Sequence, residues 1–250
     1  MKNSRPPMLI AVTVLAALAV LGTSGCAVWR IKQSAELARQ SEPFEASPAQ
    51  PVATLLVVGD STGVGTGATS PAQSLAGLIS KANPRLKIVN RAKDGAKFAD
   101  IAGQLEALGD QRFDAILILG GGNDVIRLTR YESLEQDVVR TAQLARTHGN
   151  LVVIMPSGNV GNAPFFFAPW SWLMSKRSQK LHGFVREAAA DNGALYVNLY
   201  KEKADDPFAQ RPDELNAKDG LHPSDAGYVV WLSELNGQVD FSNRLAGLKR

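Results

Sequence analysis

Residues 54–61 have the sequence TLLVVGDS, and this stretch decides the fold class. Its apolar residues are continuous and do not alternate with polar ones, which is typical of a strand buried on both faces. Gly59 ends the strand, and two polar residues, Asp60 and Ser61, follow it directly. We therefore predict that the domain begins with a strand covered on both faces and that polar side chains lie at its carboxyl end.

Four further apolar runs repeat this pattern, and segments with helical spacing separate them. The predicted strands are residues 54–58, 86–89, 115–119, 151–155 and 195–199. The predicted helices are residues 70–82, with Ser70 as N-cap, and residues 98–108, 131–147, 172–192 and 225–237. Strands that alternate with helices predict an α/β fold with a mostly parallel, five-stranded sheet covered on both faces.

The length and charge of the chain limit its organisation and its partners. The 250 residues suffice for one full-sized domain. The 27 Lys and Arg residues nearly balance the 24 Asp and Glu residues, and no long block of like charge occurs. This charge distribution argues against nucleic-acid binding, and it gives no support for an acidic substrate.

The first residues, 1–29, have the composition of a signal peptide or N-terminal membrane anchor. A basic start precedes residues 8–29, which are uncharged and rich in Leu, Ala and Val. Cys26 is the only cysteine, and the small residues before it resemble a bacterial lipobox, although Thr23 stands where leucine is expected. Three outcomes remain open: a cleaved signal, a retained anchor, and a lipoprotein processed at Cys26. Each predicts an extracytoplasmic domain on the periplasmic side.

The composition then changes at two boundaries. Residues 30–52 are rich in Gln, Glu, Ala, Ser and Pro, which predicts a linker with a short helix before Ser41. Residues 53–250 form the predicted catalytic domain. No pattern in the chain predicts an oligomeric state.

Polar residues cluster in loops after the predicted strands, where open parallel sheets bind ligands. The loops contain Gly59-Asp60-Ser61, Asp94-Gly95, Gly121-Gly122-Asn123-Asp124 and Asp219-Gly220-Leu221-His222-Pro223-Ser224. Because these loops follow strands of one sheet, we expect them to meet at one edge of it.

These loops contain the parts of a nucleophilic site. A serine hydroxyl becomes a nucleophile when a base accepts its proton, and the base needs a partner that fixes its tautomer. The three-residue spacing of Asp219 and His222 lets the carboxylate meet one ring nitrogen while the other faces Ser61. We therefore predict a catalytic triad of these three residues. The backbone donors at Ser61 and Gly95 and the side-chain amide of Asn123 are the predicted oxyanion hole.

The four blocks, in this order, resemble the SGNH/GDSL hydrolase family of esterases and lipases. The resemblance covers about residues 53–240. It implies a flavodoxin-like, three-layer α/β/α sandwich, ester hydrolysis through an acyl-enzyme, and no metal or organic cofactor. It also assigns Ser61, Asp219 and His222 to the triad and Ser61, Gly95 and Asn123 to the oxyanion hole.

These four blocks indicate the type of reaction, but they do not select one substrate. The resemblance implies a small-molecule, glycan or lipid ester, and a short acyl group such as acetyl or butyryl is our first expectation. Residues 164–172, PFFFAPWSW, contain the candidate substrate-binding residues Phe166, Phe167 and Trp170. This stretch is expected to wall an acyl or aryl pocket or to touch the bilayer; the alternative is that it packs under the next helix.

Two other functions compete with the hydrolase interpretation. A non-enzymatic, membrane-anchored module that binds glycan or lipid on the same fold is the main alternative. A metal-dependent phosphoesterase needs several histidine and carboxylate ligands, whereas the chain has three histidines. We interpret His148 and His182 as structural, and Asp60 and Asp124 as acceptors that order loops. The glycines at 63, 65 and 67 do not match a nucleotide-binding loop.

Overall fold

The computed structural model describes residues 29–248 and contains a five-stranded sheet in the order β2-β1-β3-β4-β5. All four strand pairs are parallel. The strands are β1 (Ala53–Gly59), β2 (Leu86–Asn90), β3 (Phe113–Gly120), β4 (Gly149–Pro156) and β5 (Leu195–Tyr196). This is the flavodoxin-like strand order, and the predicted α/β fold is confirmed.

Helices follow the strands and cover both faces of the sheet. The first described helix, α1, covers residues 29–40. The others are α2 (Ser61–Val64), α3 (Leu75–Ala82), α4 (Phe98–Glu106), α5 (Gly122–Ile126), α6 (Tyr131–His148), α7 (Trp170–Asp191), α8 (Pro207–Gln210), α9 (Pro212–Leu215), α10 (Asp225–Val239) and α11 (Phe241–Gly247).

Two hydrophobic clusters, one on each face of the sheet, make the three layers. Neighbouring strand residues point to opposite faces, so Leu56 and Val58 pack with α4, α6 and α7, whereas Leu55 and Val57 pack with α3, α10 and α11. All four side chains are fully buried. Burying such a side chain contributes about 2 kcal/mol, which explains why the first strand is apolar without alternation.

The helix predicted for residues 70–82 begins later in the structure. A 3-10 turn covers Pro71–Gln73, and α3 starts at Leu75 with Ser74, not Ser70, as its N-cap. The Ser74 hydroxyl accepts a hydrogen bond from the backbone N–H of Gly77 at 3.2 Å. The prediction of Ser70 as cap was wrong because proline at the first turn fits both a 3-10 turn and an α-helix.

The last strand is shorter than the predicted residues 195–199. It ends at Tyr196, and the backbone N–H of Asn198 donates to the side chain of Gln238 at 2.8 Å. A side chain of α10 therefore takes the place of the next ladder bond. Local sequence could not show this, because the two residues are far apart in the chain.

Residues 30–52, the predicted linker, contain α1 and a segment that follows the edge of the sheet. Ala46 forms an antiparallel bridge with Ile88 of β2. The predicted signal or anchor segment, except for Trp29, and the candidate lipidation residue Cys26 lie outside the described residues. Within residues 29–248, no helix has the length and apolar composition needed to cross a bilayer.

Candidate active site

Ser61 lies at the carboxyl end of β1, on a turn that leads directly into α2. The Asp60 carboxylate caps this helix by accepting a hydrogen bond from the backbone N–H of Thr62 at 2.9 Å. Ser61 is the first residue of α2, where a backbone N–H has no acceptor within the helix. The turn therefore presents both a hydroxyl group and a free backbone donor beyond the sheet.

The turn depends on Gly59, the last residue of β1. Its φ is +151°, and a Cβ at this position would lie 1.9 Å from the carbonyl oxygen of Leu119. Any side chain here would push β1 away from β3. Gln104 of α4 also holds this residue, because its amide donates to and accepts from the Gly59 backbone at 2.9 and 2.8 Å.

Asp219 and His222 lie on a second turn, before α10. One oxygen of the Asp219 carboxylate, Oδ1, accepts from the backbone N–H groups of Leu221 and His222 at 3.0 and 3.1 Å. The other, Oδ2, accepts from Nδ1 of the His222 ring at 2.6 Å. Burial alone would raise the pKa of Asp219, but these hydrogen bonds outweigh it, and the pKa lies below its ordinary value. The carboxylate is therefore ionised at neutral pH.

The structure brings the predicted triad together from opposite ends of the domain. Nε2 of His222 lies 2.9 Å from Oγ of Ser61. Because the Asp219 carboxylate can only accept, Nδ1 carries the ring proton, and the lone pair of Nε2 faces the serine hydroxyl. All three side chains are buried. The arrangement can transfer the serine proton to the histidine.

The predicted oxyanion donors lie in two neighbouring loops. Asn123, the second residue of α5, lines the cavity beside Ser61. Its Nδ2 donates to the carbonyl oxygen of Ala96 at 3.2 Å, which leaves one amide hydrogen for a ligand. That bond joins Asn123 to the loop of Gly95, whose φ is +76°. Gly95 is not among the residues that line the cavity.

Asp60 and Asp124 order the loops, as interpreted from the sequence. The backbone N–H and the hydroxyl group of Thr62 both donate to the same carboxylate oxygen of Asp60. Burial raises the pKa of Asp60 to about 6. The Asp124 carboxylate accepts from the backbone N–H of Phe98 at 2.9 Å and so joins α5 to α4.

Ser157, the first residue after β4, was missed by the sequence reasoning. Its hydroxyl group accepts from the backbone N–H of Gly122 at 3.1 Å, and it lines the cavity. Its carbonyl oxygen accepts from Nε2 of His182 at 2.8 Å. The rule that functional loops follow strands would have identified Ser157, had it been applied to the fourth strand as well.

His182 supports this loop as a neutral, buried side chain. Its Nδ1 lies 2.6 Å from the hydroxyl group of Tyr196, so both ring nitrogens have partners. Burial lowers the pKa of His182 to about 4, although the bond to Ser157 opposes this shift. His182 thus joins Tyr196 to the loop of Ser157 through both of its ring nitrogens.

We expect the His182→Gln variant to lose part of the acid sensitivity of the fold. In the wild type, the unfolded chain binds a proton near the ordinary histidine pKa, whereas the folded chain does so only near pH 4. Stability from this group is therefore complete above about pH 6.5 and is lost as the pH falls towards 4. Between pH 7 and 4.5, the free energy of unfolding in urea titrations should fall by about 2 kcal/mol less in the variant. Equal pH slopes would contradict a neutral buried histidine.

A cavity of about 120 Å³ adjoins Ser61 and His222. Its polar side chains include Asn123, Ser157, Asn159 and Asn162. Its apolar side chains include Ile126, Val160, Leu199, Phe208, Leu221 and Trp231. Within the described part of the chain, no three His, Cys, Asp or Glu side chains are grouped as metal ligands.

The structure corrects the assignment of Phe166, Phe167 and Trp170 to the substrate pocket. None of them lines the cavity. Phe166 packs against the core cluster beside α7, and Phe167 and Trp170 are exposed at the surface. Trp170 is the first residue of α7, and Phe167 lies in the loop that precedes this helix.

Comparison with known proteins gives a family and a fold. Residues 57–230 match the model of the GDSL-like lipase/acylhydrolase family. A GDSL-like esterase of Mycobacterium tuberculosis is 27% identical over 184 residues, which are 70% of this chain and 58% of that protein. The chain thus spans less than two thirds of the length of this relative.

Solved structures share the fold. The structure of TesA is similar with a TM-score of 0.60 and 22% identity, covering 76% of this chain and 99% of that one. An acetylxylan esterase from Geobacillus stearothermophilus has a TM-score of 0.55 and 18% identity, covering 76% and 94%. The predicted family resemblance and three-layer fold are therefore confirmed.

Proposed function

The chain belongs to the GDSL-like lipase/acylhydrolase family, and on this premise we propose that it is a serine ester hydrolase. Ser61 is the proposed nucleophile, His222 the base, and Asp219 the residue that orients His222. The observation that carries the proposal is the buried chain of two hydrogen bonds, 2.9 Å from Ser61 to His222 and 2.6 Å from His222 to Asp219. Such a chain generates a serine nucleophile at neutral pH.

The proposed reaction has two steps. In the first, Oγ of Ser61 attacks the acyl carbon while Nε2 of His222 takes its proton; His222 then gives this proton to the leaving alkoxide, and an acyl-enzyme remains. In the second, His222 takes a proton from water, the resulting hydroxide attacks the acyl carbon, and Ser61 recovers its proton as the acid leaves. The backbone N–H groups of Ser61 and Gly95 and the amide of Asn123 are the proposed donors to the oxyanion.

The size of the cavity supports a short acyl group. An engineered apolar cavity of about 150 Å³ holds benzene, which has six heavy atoms. The cavity beside Ser61, at about 120 Å³, therefore has room for an acyl group of about four heavy atoms beyond the reacting carbon. An acetylxylan esterase shares the fold. Acetyl esters, including acetylated sugars, are therefore the first substrate class to test.

We expect activity on p-nitrophenyl esters to be highest for acetyl to butyryl chains and to decline for octanoyl and longer chains, because longer chains exceed the cavity. The full-length protein would be assayed for kcat/KM across the series with EDTA present, together with covalent labelling by a fluorophosphonate. Loss of activity in EDTA would favour a metal-dependent phosphoesterase. Absence of both turnover and labelling would favour the non-enzymatic binding module. A maximum at long chains would contradict the short acyl pocket.

We also propose that the hydrolase acts outside the cytoplasm and is held at the membrane by residues 8–29 or by a lipid on Cys26. The uncharged, apolar composition of this segment supports the proposal. Fractionation of cells that express the full chain, followed by mass determination of the product, tests it. A product in the soluble cytoplasmic fraction would contradict it.

A further inference from the structure

Exposed apolar side chains are concentrated in two segments of the described chain. Within residues 29–248, eight large apolar side chains are exposed, and six of them lie in two short segments. We call these six the aromatic face: Trp29, Ile31, Phe167, Trp170, Trp172 and Leu173. Between 38% and 68% of each side chain is exposed to solvent. Single exposed apolar residues are ordinary, but a concentration of this kind indicates an interaction surface.

The two segments of the aromatic face are in contact. The guanidinium carbon of Arg30 lies 5.1 Å from the centre of the Phe167 ring. This cation–π contact places the first described turn of α1 against the loop that precedes α7. The two segments, although far apart in the chain, are therefore neighbours in the fold.

The two chain segments that carry the aromatic face contain basic residues but no acidic ones. Residues 29–35 and 163–186 contain no Asp or Glu. Lys176 and Lys180 are exposed and follow Trp172 at helical intervals of four residues, so they share its side of α7. Aromatic rings with flanking lysines are typical of surfaces that rest on the headgroups of anionic lipids.

The chain itself leads from this surface towards a membrane. Trp29 ends the uncharged stretch of residues 8–29, which has the composition of an anchor or signal segment. A second copy of the protein fits the surface less well, because two such faces would bring like charges together. These observations favour a lipid surface over a protein as the partner.

We propose that the aromatic face docks onto the headgroup region of an anionic bilayer. This surface is separate from the triad, so the proposal goes beyond the hydrolase activity and does not depend on it.

Docking would bring the catalytic turn close to the bilayer. The backbone N–H of Phe165, two residues before Phe167, donates to the carbonyl oxygen of Gly220 at 3.0 Å, in the turn that contains Asp219 and His222. The docked loop and the catalytic turn are therefore direct neighbours.

Tryptophan quenching tests the proposal on the full chain. The Trp29→Phe variant, which leaves Trp170, Trp172 and the buried Trp231, would be reconstituted with vesicles of phosphatidylcholine and phosphatidylglycerol. Replacing the phosphatidylcholine by its brominated form should quench most of the exposed emission. Adding Trp170→Phe and Trp172→Phe should remove most of this quenching. Vesicles without phosphatidylglycerol should quench less.

Controls separate docking from the other outcomes. Val229 is exposed on α10, in the helical layer on the opposite face of the sheet, so a Val229→Trp probe added to the triple variant should not be quenched. Hydrolysis of a water-soluble ester should be unchanged by the Trp170→Phe and Trp172→Phe changes. Unquenched Trp170 and Trp172 overturn the proposal, whether or not wild-type Trp29 is quenched. Emission that is blue-shifted without lipid, together with a dimer in sedimentation, would assign the face to a second copy instead.

Discussion

Replacing Ser61 by alanine is expected to lower kcat/KM for a p-nitrophenyl ester by about 10⁴- to 10⁶-fold and to abolish fluorophosphonate labelling. The change removes only the hydroxyl group, whose Oγ lies 2.9 Å from Nε2 of His222. Without it, no acyl-enzyme can form, and only water attack assisted by the remaining donors persists. Steady-state kinetics and gel-based labelling of the full-length variant measure the effect.

The matched control is Ser70→Ala, which removes a hydroxyl group from a serine that forms no capping bond in the described structure. This variant should keep wild-type activity and labelling. The melting temperature of Ser61→Ala should remain close to that of the wild type, since the backbone bonds of α2 do not involve the hydroxyl group. Turnover or labelling that survives in Ser61→Ala would exclude this residue as the nucleophile.

The Asp219→Asn variant should lose about 10³- to 10⁴-fold in kcat, because the change reverses the tautomer of His222. Asparagine can donate to Nδ1 through its amide, and the ring proton would then lie on Nε2, facing Ser61. A protonated Nε2 cannot accept the serine proton. The variant also replaces a carboxylate that accepts three hydrogen bonds within its own turn by a neutral amide, which is a weaker acceptor.

The pH dependence distinguishes a tautomer defect from unfolding. The activity that remains in Asp219→Asn should rise at high pH, where hydroxide can replace the missing base, while circular dichroism at neutral pH should match the wild type. Asp213→Asn, an exposed position in α9, is the matched control and should retain full activity. Wild-type kcat in Asp219→Asn would show that this carboxylate does not orient His222.

The aromatic stretch shows where local sequence stops being informative. A dense run of aromatic residues after a strand is equally compatible with a pocket wall, a core and an interface, because each environment removes apolar surface from water. Only the tertiary structure shows that Phe167 and Trp170 are exposed. The same limit applies to His182: its lack of an acidic neighbour argued against a catalytic role, but it could not identify Ser157 as the partner of the ring.

The sequence by itself determined the α/β class, the alternation of five strands with the longer helices along the chain, and the candidate triad of Ser61, Asp219 and His222. These features depend on patterns within a few residues: continuous apolar runs, breakers at strand ends, and a three-residue spacing in a turn. Only the tertiary structure decided the length of β5, the cap of α3, the shape of the cavity and the contact of Arg30 with Phe167. Each of these is set by packing between chain segments, and local pattern does not specify which distant side chain supplies the competing hydrogen bond or contact.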